Sequence, residues 1–192
     1  MEMQHVNVKL MLANPDEIDL EPLIPIFHGW IQEQAPGDLL LDIADYRHVP
    51  AGPGVVLIGY QGDLSVDNRQ NRLGVRYNRK AELDGDNEGR LRQAAVAALT
   101  ACRRLESDAR LDGKLHFNGR EVELFINDRM LAPNNDATRQ AAEPELRGFF
   151  GKLFRGASYS MSFDTEPREL FSATVRTEKP FTVDELLTNL GS

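Results

Sequence analysis

Asp42, Asp45 and His48 recur at every third residue at the end of an apolar stretch, and two carboxylates with an imidazole are groups that hold divalent metal ions. Strand ends and the loops that leave them are common places for such sites. The same residues also read as a polar turn capped by Asp45, since no fourth ligand is evident and His48 runs into a Pro-Gly loop. A metal at Asp42, Asp45 and His48 is therefore one expectation for the fold to test. Arg76, Tyr77 and Arg79 are the ligand-binding residues that could share a cleft with it. A further arginine, Arg129, lies in Asn127-Asp128-Arg129, ahead of Ala132-Pro133-Asn134-Asn135. That connection reads as a capped turn before a helix, where Arg129 could meet an anionic ligand at the helix N-terminus.

The templates of several reaction classes fail. Gly52-Pro53-Gly54, with Gly59 and Gly62 after it, precedes a strand, whereas phosphate-cradling loops follow a strand and open a helix. A turn with close backbone passage explains those glycines. No serine sits in a Gly-x-Ser-x-Gly elbow, and Cys102 falls on an apolar helical stripe, where a thiol acts as a small hydrophobe. His28 stands beside Phe27 and Trp30 without a partner carboxylate, and His5 and His116 lie on strands whose apolar faces point the other way. No cofactor is implied.

These residues have to be positioned by elements the pattern outlines. Val6, Val8, Leu10 and Leu12 alternate with Asn7, Lys9 and Met11, the period of a strand. Leu20 to Ile31 then recur at helical spacing from a start near Pro22, and Ala35-Pro36-Gly37 ends that helix. Leu39 to Ile43 reads as a strand buried on both faces for part of its length, closing a β-α-β unit, and Val55 to Ile58 as another doubly buried strand. Leu64-Ser65-Val66 and Leu73 to Tyr77 follow as antiparallel strands about a polar loop.

Leu91, Ala95, Ala98, Cys102 and Leu105 hold one face of a helix over Asn87 to Arg110, capped by Asp86 or Asn87. Leu115-His116-Phe117 and Arg120 to Ile126 form a hairpin about Asn118-Gly119, a pair suited to the two positive φ angles of a type I′ turn. A short helical turn precedes Pro144, and Leu146, Phe149, Phe150, Leu153 and Phe154 make an amphipathic helix closed by Gly156. A second hairpin pairs Tyr159, Met161 and Phe163 with Phe171, Ala173 and Val175, and Thr182 with Glu185 forms a capping box for a last helix.

The resulting fold class is α+β, an antiparallel or mixed β-sheet with helices packed on it, read as one domain over residues 1–192. A faint echo between Val8 to Pro15 and Val122 to Asn134 suggests a pseudo-duplicated β-α-β-β-α arrangement with halves 1–118 and 119–192.

Composition narrows the function classes. With 41% hydrophobic and 27% charged residues over 192 positions, the chain can bury a core without staples. A lone cysteine forms no disulfide framework, residues Met1 to Asn7 lack a basic start followed by an apolar stretch, and no apolar run approaches the roughly 20 residues of a membrane span. A soluble protein of the cytoplasm is expected. The net charge of −8 opposes binding to nucleic acid or anionic membrane, and Glu82, Asp84, Asp86 and Glu88 offset the basic stretch from Arg72 to Lys80.

The reading that follows is an intracellular, non-enzymatic binding or assembly protein, expected as a homodimer or with a protein partner. The alternative is an enzyme, or a small-ligand or metal-binding protein, with its cleft near Asp42, Asp45 and His48.

Overall fold

The alternating segment at the start of the chain becomes the middle of the sheet. A computed structural model describes residues 1–34 and 38–191. The elements, in order, are β1 (Val6–Leu12), α1 (Leu23–Glu33), β2 (Leu40–Tyr46), β3 (Gly54–Gly59), β4 (Gly62–Asp67), β5 (Gly74–Arg79), α2 (Asn87–Glu106), β6 (Phe117–Ile126), α3 (Asp136–Leu153), β7 (Tyr159–Phe163), β8 (Phe171–Thr177) and α4 (Val183–Asn189). The strands form an eight-stranded sheet in the order β2-β3-β4-β5-β1-β6-β8-β7. Each neighbouring pair is antiparallel.

All four helices cover one face. Val6, Val8, Leu10 and Leu12 of β1 share a single core cluster with Phe27 of α1, Leu91 of α2, Phe150 of α3 and Leu186 of α4. Asn7, Lys9 and Met11 point to the opposite, helix-free face and are buried there as well, which explains why β1 is buried along its whole length. α1 lies over β2 and β3, and α2 lies over β1 and β5.

The helix starts follow local chemistry. The Asp86 side chain accepts from Gly89 N–H at 2.8 Å, Asn135 accepts from Thr138 N–H at 2.9 Å, and Thr182 and Glu185 form the expected reciprocal box. Each satisfies a donor that the first turn leaves open.

Several expectations need correction. β6 is one continuous strand through Asn118-Gly119, pairing with β1 on one side and β8 on the other. Only Gly119 of that pair has positive φ, at 62°, while Asn118 accepts from the backbone of Arg120 and Glu121. The register shifts here, from Leu10↔Val122 to Leu12↔Phe117, so the dipeptide makes a bulge instead of a turn. Long-range pairing with β1 outweighs the local turn propensity. The suggested boundary at 118/119 falls inside this strand.

β2 is an edge strand, Leu41 on it and Leu39 just before it are about half exposed, at 50% and 54%, and β1 lies four strands away. It is neither doubly buried nor adjacent to β1. α3 runs unbroken through Pro144 because Pro144 and Gln140, the residue whose carbonyl loses its donor, are both exposed to water. α2 stops at Glu106, with a separate short turn at Ala109–Leu111. The expected helix end at Ala35-Pro36-Gly37 lies outside the described residues.

Candidate functional site

The structure separates most of the residues singled out by type and spacing. Asp42 sits opposite Ile58 and Asp45 opposite Val55, which places the two carboxylates on opposite faces of β2. Asp45 is engaged by Arg47, which donates Nε to Oδ1 at 2.9 Å and Nη2 to Oδ2 at 2.7 Å, while Asp42 Oδ1 accepts from Ile43 N–H at 2.8 Å. The hydrogen bonds from Arg47 hold the Asp45 carboxyl down to about 2. His48 is exposed in the turn beyond. Among the described residues, no group of three or more His, Cys, Asp or Glu side chains stands where it could hold a metal ion, and these three do not gather.

Arg76 and Tyr77 also diverge, as neighbours on a strand must. Arg76 is on the helix-free face, donating Nε to Asn7 Oδ1 at 2.9 Å and lying 5.2 Å from the centroid of the Phe125 ring. Arg79 donates to Ala81 O, Gln61 Oε1 and Glu82 O, so its guanidinium holds the exit from β5. Arg129 donates to Arg168 O at 2.5 Å. The end of α3 nearest to it in sequence is capped by Asn135 instead. Cys102 is wholly buried, and burial pushes its thiol well up.

Tyr77, by contrast, lines a cavity. Because α1 covers β2 and β3 while α2 covers β5 and β1, a groove remains between the two helices, floored by Leu57 and Leu64. One wall is α2, presenting Val96, Ala97, Thr100 and Ala101, and the far end is Trp30 of α1. Small side chains on α2 leave this groove about 410 Å³. That volume falls within the range of small-molecule sites, and the lining, apolar with a few polar groups at the ends, has the composition of one.

The polar groups are held in place. Gln93 Nε2 donates to the Tyr77 hydroxyl oxygen at 3.1 Å, while Gln93 Oε1 is buried and has no hydrogen-bond partner among the described residues. Arg104 stacks over Trp30 at 4.1 Å and donates to Glu33 at 2.6 Å. Asp38 accepts from the backbone of Gln61 and Gly62 at 2.9 to 3.0 Å.

Gln93, Trp30 and Leu64 were not anticipated as a site. The signal lay in α2, where Val96, Ala97 and Ala101 add a second apolar stripe beside the one that packs on the sheet.

The helix-free face carries a different chemistry. Lys9, 1% exposed, reaches across β5 to Asp67 Oδ1 at 2.5 Å. Gly74 makes that crossing possible, since a Cβ there would lie 3.0 Å from Lys9 Cε and 2.4 Å from Leu10 O. Arg72 pairs with both Glu121 and Glu123, and Arg176 pairs with Glu121 at 3.0 Å. Burial lowers the Lys9 ammonium and raises the Glu123 carboxyl from their ordinary values, against the opposing pull of Asp67 on Lys9 and of Arg72 on Glu123. A smaller cleft of about 170 Å³ adjoins this network, but its charged walls are paired with one another, Arg69 with Glu169 and Arg72 with Glu123. The network accounts for its own charges.

No protein-family model matches this sequence, and no curated protein matches it.

Proposed function

We propose that this protein is a non-enzymatic binding protein whose ligand is an elongated small molecule with an apolar body, held in the groove between α1 and α2. One observation carries the reading: an open groove of about 410 Å³ between α1 and α2 is lined mostly by the apolar side chains of Trp30, Leu57, Leu64, Val96 and Ala97. A concave, mostly apolar surface with a few polar groups at its ends is what an elongated apolar molecule would cover. The lining supplies a phenol, an amide, a threonine hydroxyl, the Asp38 carboxylate and two arginines, and Asp38 and Arg104 are already engaged, by the backbone of Gln61 and Gly62 and by Glu33, a set suited to holding more than to proton transfer. A buried lone cysteine and a net charge of −8 favour a cytoplasmic setting and a partner that is not nucleic acid. Among the described residues no helix is long and apolar enough to cross a membrane.

Trp30 is the only tryptophan and lines the groove, so its emission reports occupancy. Titration with N-phenyl-1-naphthylamine should quench Trp30 by energy transfer in the wild type, and Ala97→Phe, which fills the groove, should abolish the effect. Equal dye binding by both proteins, or none by the wild type, would remove the reading.

A second reading, assembly with another copy of the chain, is favoured by Leu39, Leu41 and the 70% exposed Tyr60 clustered at the β2 edge.

A further inference from the structure

We infer that the ion pair between Arg104 and Glu33 is a strap that ties α2 to α1 at the Trp30 end of the groove and slows release of the bound molecule; this rests on the binding reading above. The two helices are carried by different strands of the sheet, α1 by β2 and β3 and α2 by β5 and β1. Arg104 is the last residue that α2 gives to the lining, and its side chain reaches the other helix. Nη2 donates to Glu33 Oε2 at 2.6 Å, and Glu33 is the final residue of α1.

The guanidinium is seated on a firm base. It lies over the Trp30 ring, 4.1 Å from the centroid, and Trp30 is itself buried against Phe27 with ring centroids 5.3 Å apart. Trp30 and Glu33 are three residues apart and so share a face of α1, which lets one arginine engage both. Asp108, a second carboxylate whose charge is felt by Arg104, is taken at two points by Arg110, at 2.9 and 2.7 Å. Glu33 is the carboxylate with which Arg104 pairs.

Both partners also meet water, with side chains 29% and 62% exposed. Salt therefore reaches the strap, since the screening length falls from about 10 Å at 0.1 M ionic strength to about 3 Å at 1 M. The stack on Trp30 does not need the carboxylate, and Glu33 is outside the lining. Removing the Glu33 charge thus cuts the tie while the apolar lining stays as it was. Whatever salt does to the apolar contacts it does equally in wild type and in Glu33→Gln, so the ratio of their release rates isolates the strap.

The test is stopped-flow release of N-phenyl-1-naphthylamine from the full chain on dilution, followed by the dye's own emission, in wild type, Glu33→Gln, Arg104→Met and the double variant. At low salt Glu33→Gln should release the dye about threefold faster than wild type, the size of effect an exposed ion pair allows. Near 1 M sodium chloride the two rates should converge. The double variant should be no faster than Arg104→Met, because either single change already parts the strap. Glu143→Gln, which breaks a comparably exposed pair with Arg147 within α3, should release the dye at the wild-type rate. Equal rates for wild type and Glu33→Gln at low salt, a ratio that persists at high salt, or multiplying effects in the double variant would overturn the strap and leave the groove as a binding site. No binding of the dye by the wild type would remove the binding reading and this inference with it.

Discussion

Lys9 is a charged residue in the most buried strand of the sheet, and its environment decides what its neighbours are worth. Its ammonium is satisfied by Asp67, which also accepts from Arg69 N–H at 3.2 Å and stands 3.8 Å from Arg76. Removing the carboxylate strands a buried cation, whereas removing the cation leaves Asp67 near Arg76. Asp67→Ala should therefore cost about 3–5 kcal/mol in chemical denaturation, and Lys9→Met much less. A loss for Asp67→Ala below that of Lys9→Met would show that water reaches the pair. Glu123, on the same face, gives a pH signature. Burial raises its carboxyl in the folded chain, so the folded state binds that proton more tightly than the unfolded state does. Its contribution to stability is complete below the unfolded value, near the ordinary 4.5, and is lost as pH rises through the folded value. Thermal melts of Glu123→Gln against wild type should shift in favour of the variant between pH 4 and pH 7, and a shift the other way would contradict this reading. None of this was legible from spacing, because Lys9 and Asp67 meet only through the pairing of β1, β5 and β4.

At the scale of elements, what was legible depended on whether the deciding contacts were local. The capping box of α4, the Asp86 cap of α2 and the β7–β8 hairpin all rest on residues close in sequence, and the structure contains each of them. The aromatic stripe of α3 was legible for the same reason. Phe150 is fully buried, stacked on Phe154 with ring centroids 5.8 Å apart and 6.4 Å from Tyr159. Phe150→Ala should cost about 3–5 kcal/mol in chemical denaturation, as truncation of buried phenylalanines does, and a loss below about 1 kcal/mol would place this face of α3 outside the core. Asn118-Gly119 shows the converse. The dipeptide carries a strong hairpin propensity, but β1 offers a strand of matching apolar face, and the longer pairing prevails. Gly119 retains φ of +62°, and a Cβ there would lie 2.0 Å from Phe181 O, whose own N–H donates to Gly119 O. Gly119→Ala should accordingly lower stability by more than the roughly 1–2 kcal/mol of a left-handed residue alone, a difference equilibrium denaturation would resolve.

The order of strands belongs to the whole molecule, and it settles which apolar residues are covered. Leu39 and Leu41 look like core residues in an isolated window. In the sheet Leu41 falls on β2, the terminal strand, and Leu39 just before it, where β3 is the one neighbouring strand. The groove was hidden for the same reason: Trp30, Leu64 and Gln93 line one cavity only because α1 and α2 settle on different strands of one sheet. The β2 edge has consequences for assembly. Its register shifts between Leu40 and Asp42, a bulge of the kind that normally discourages pairing, yet the residue at the bulge is a leucine, not a charge. Exposed backbone donors and acceptors beside Leu39, Leu41 and Tyr60 are a surface that a second copy can cover, and a two-fold arrangement covers both edges at once. Light scattering of the wild type at high micromolar concentration should therefore return twice the chain mass, and Leu41→Lys, which places a charge at the contact while leaving the core untouched, should return the monomer with an unchanged melting profile at low concentration. A monomer mass for the wild type, or a dimer that survives Leu41→Lys, would show that β2 is not where the copies meet.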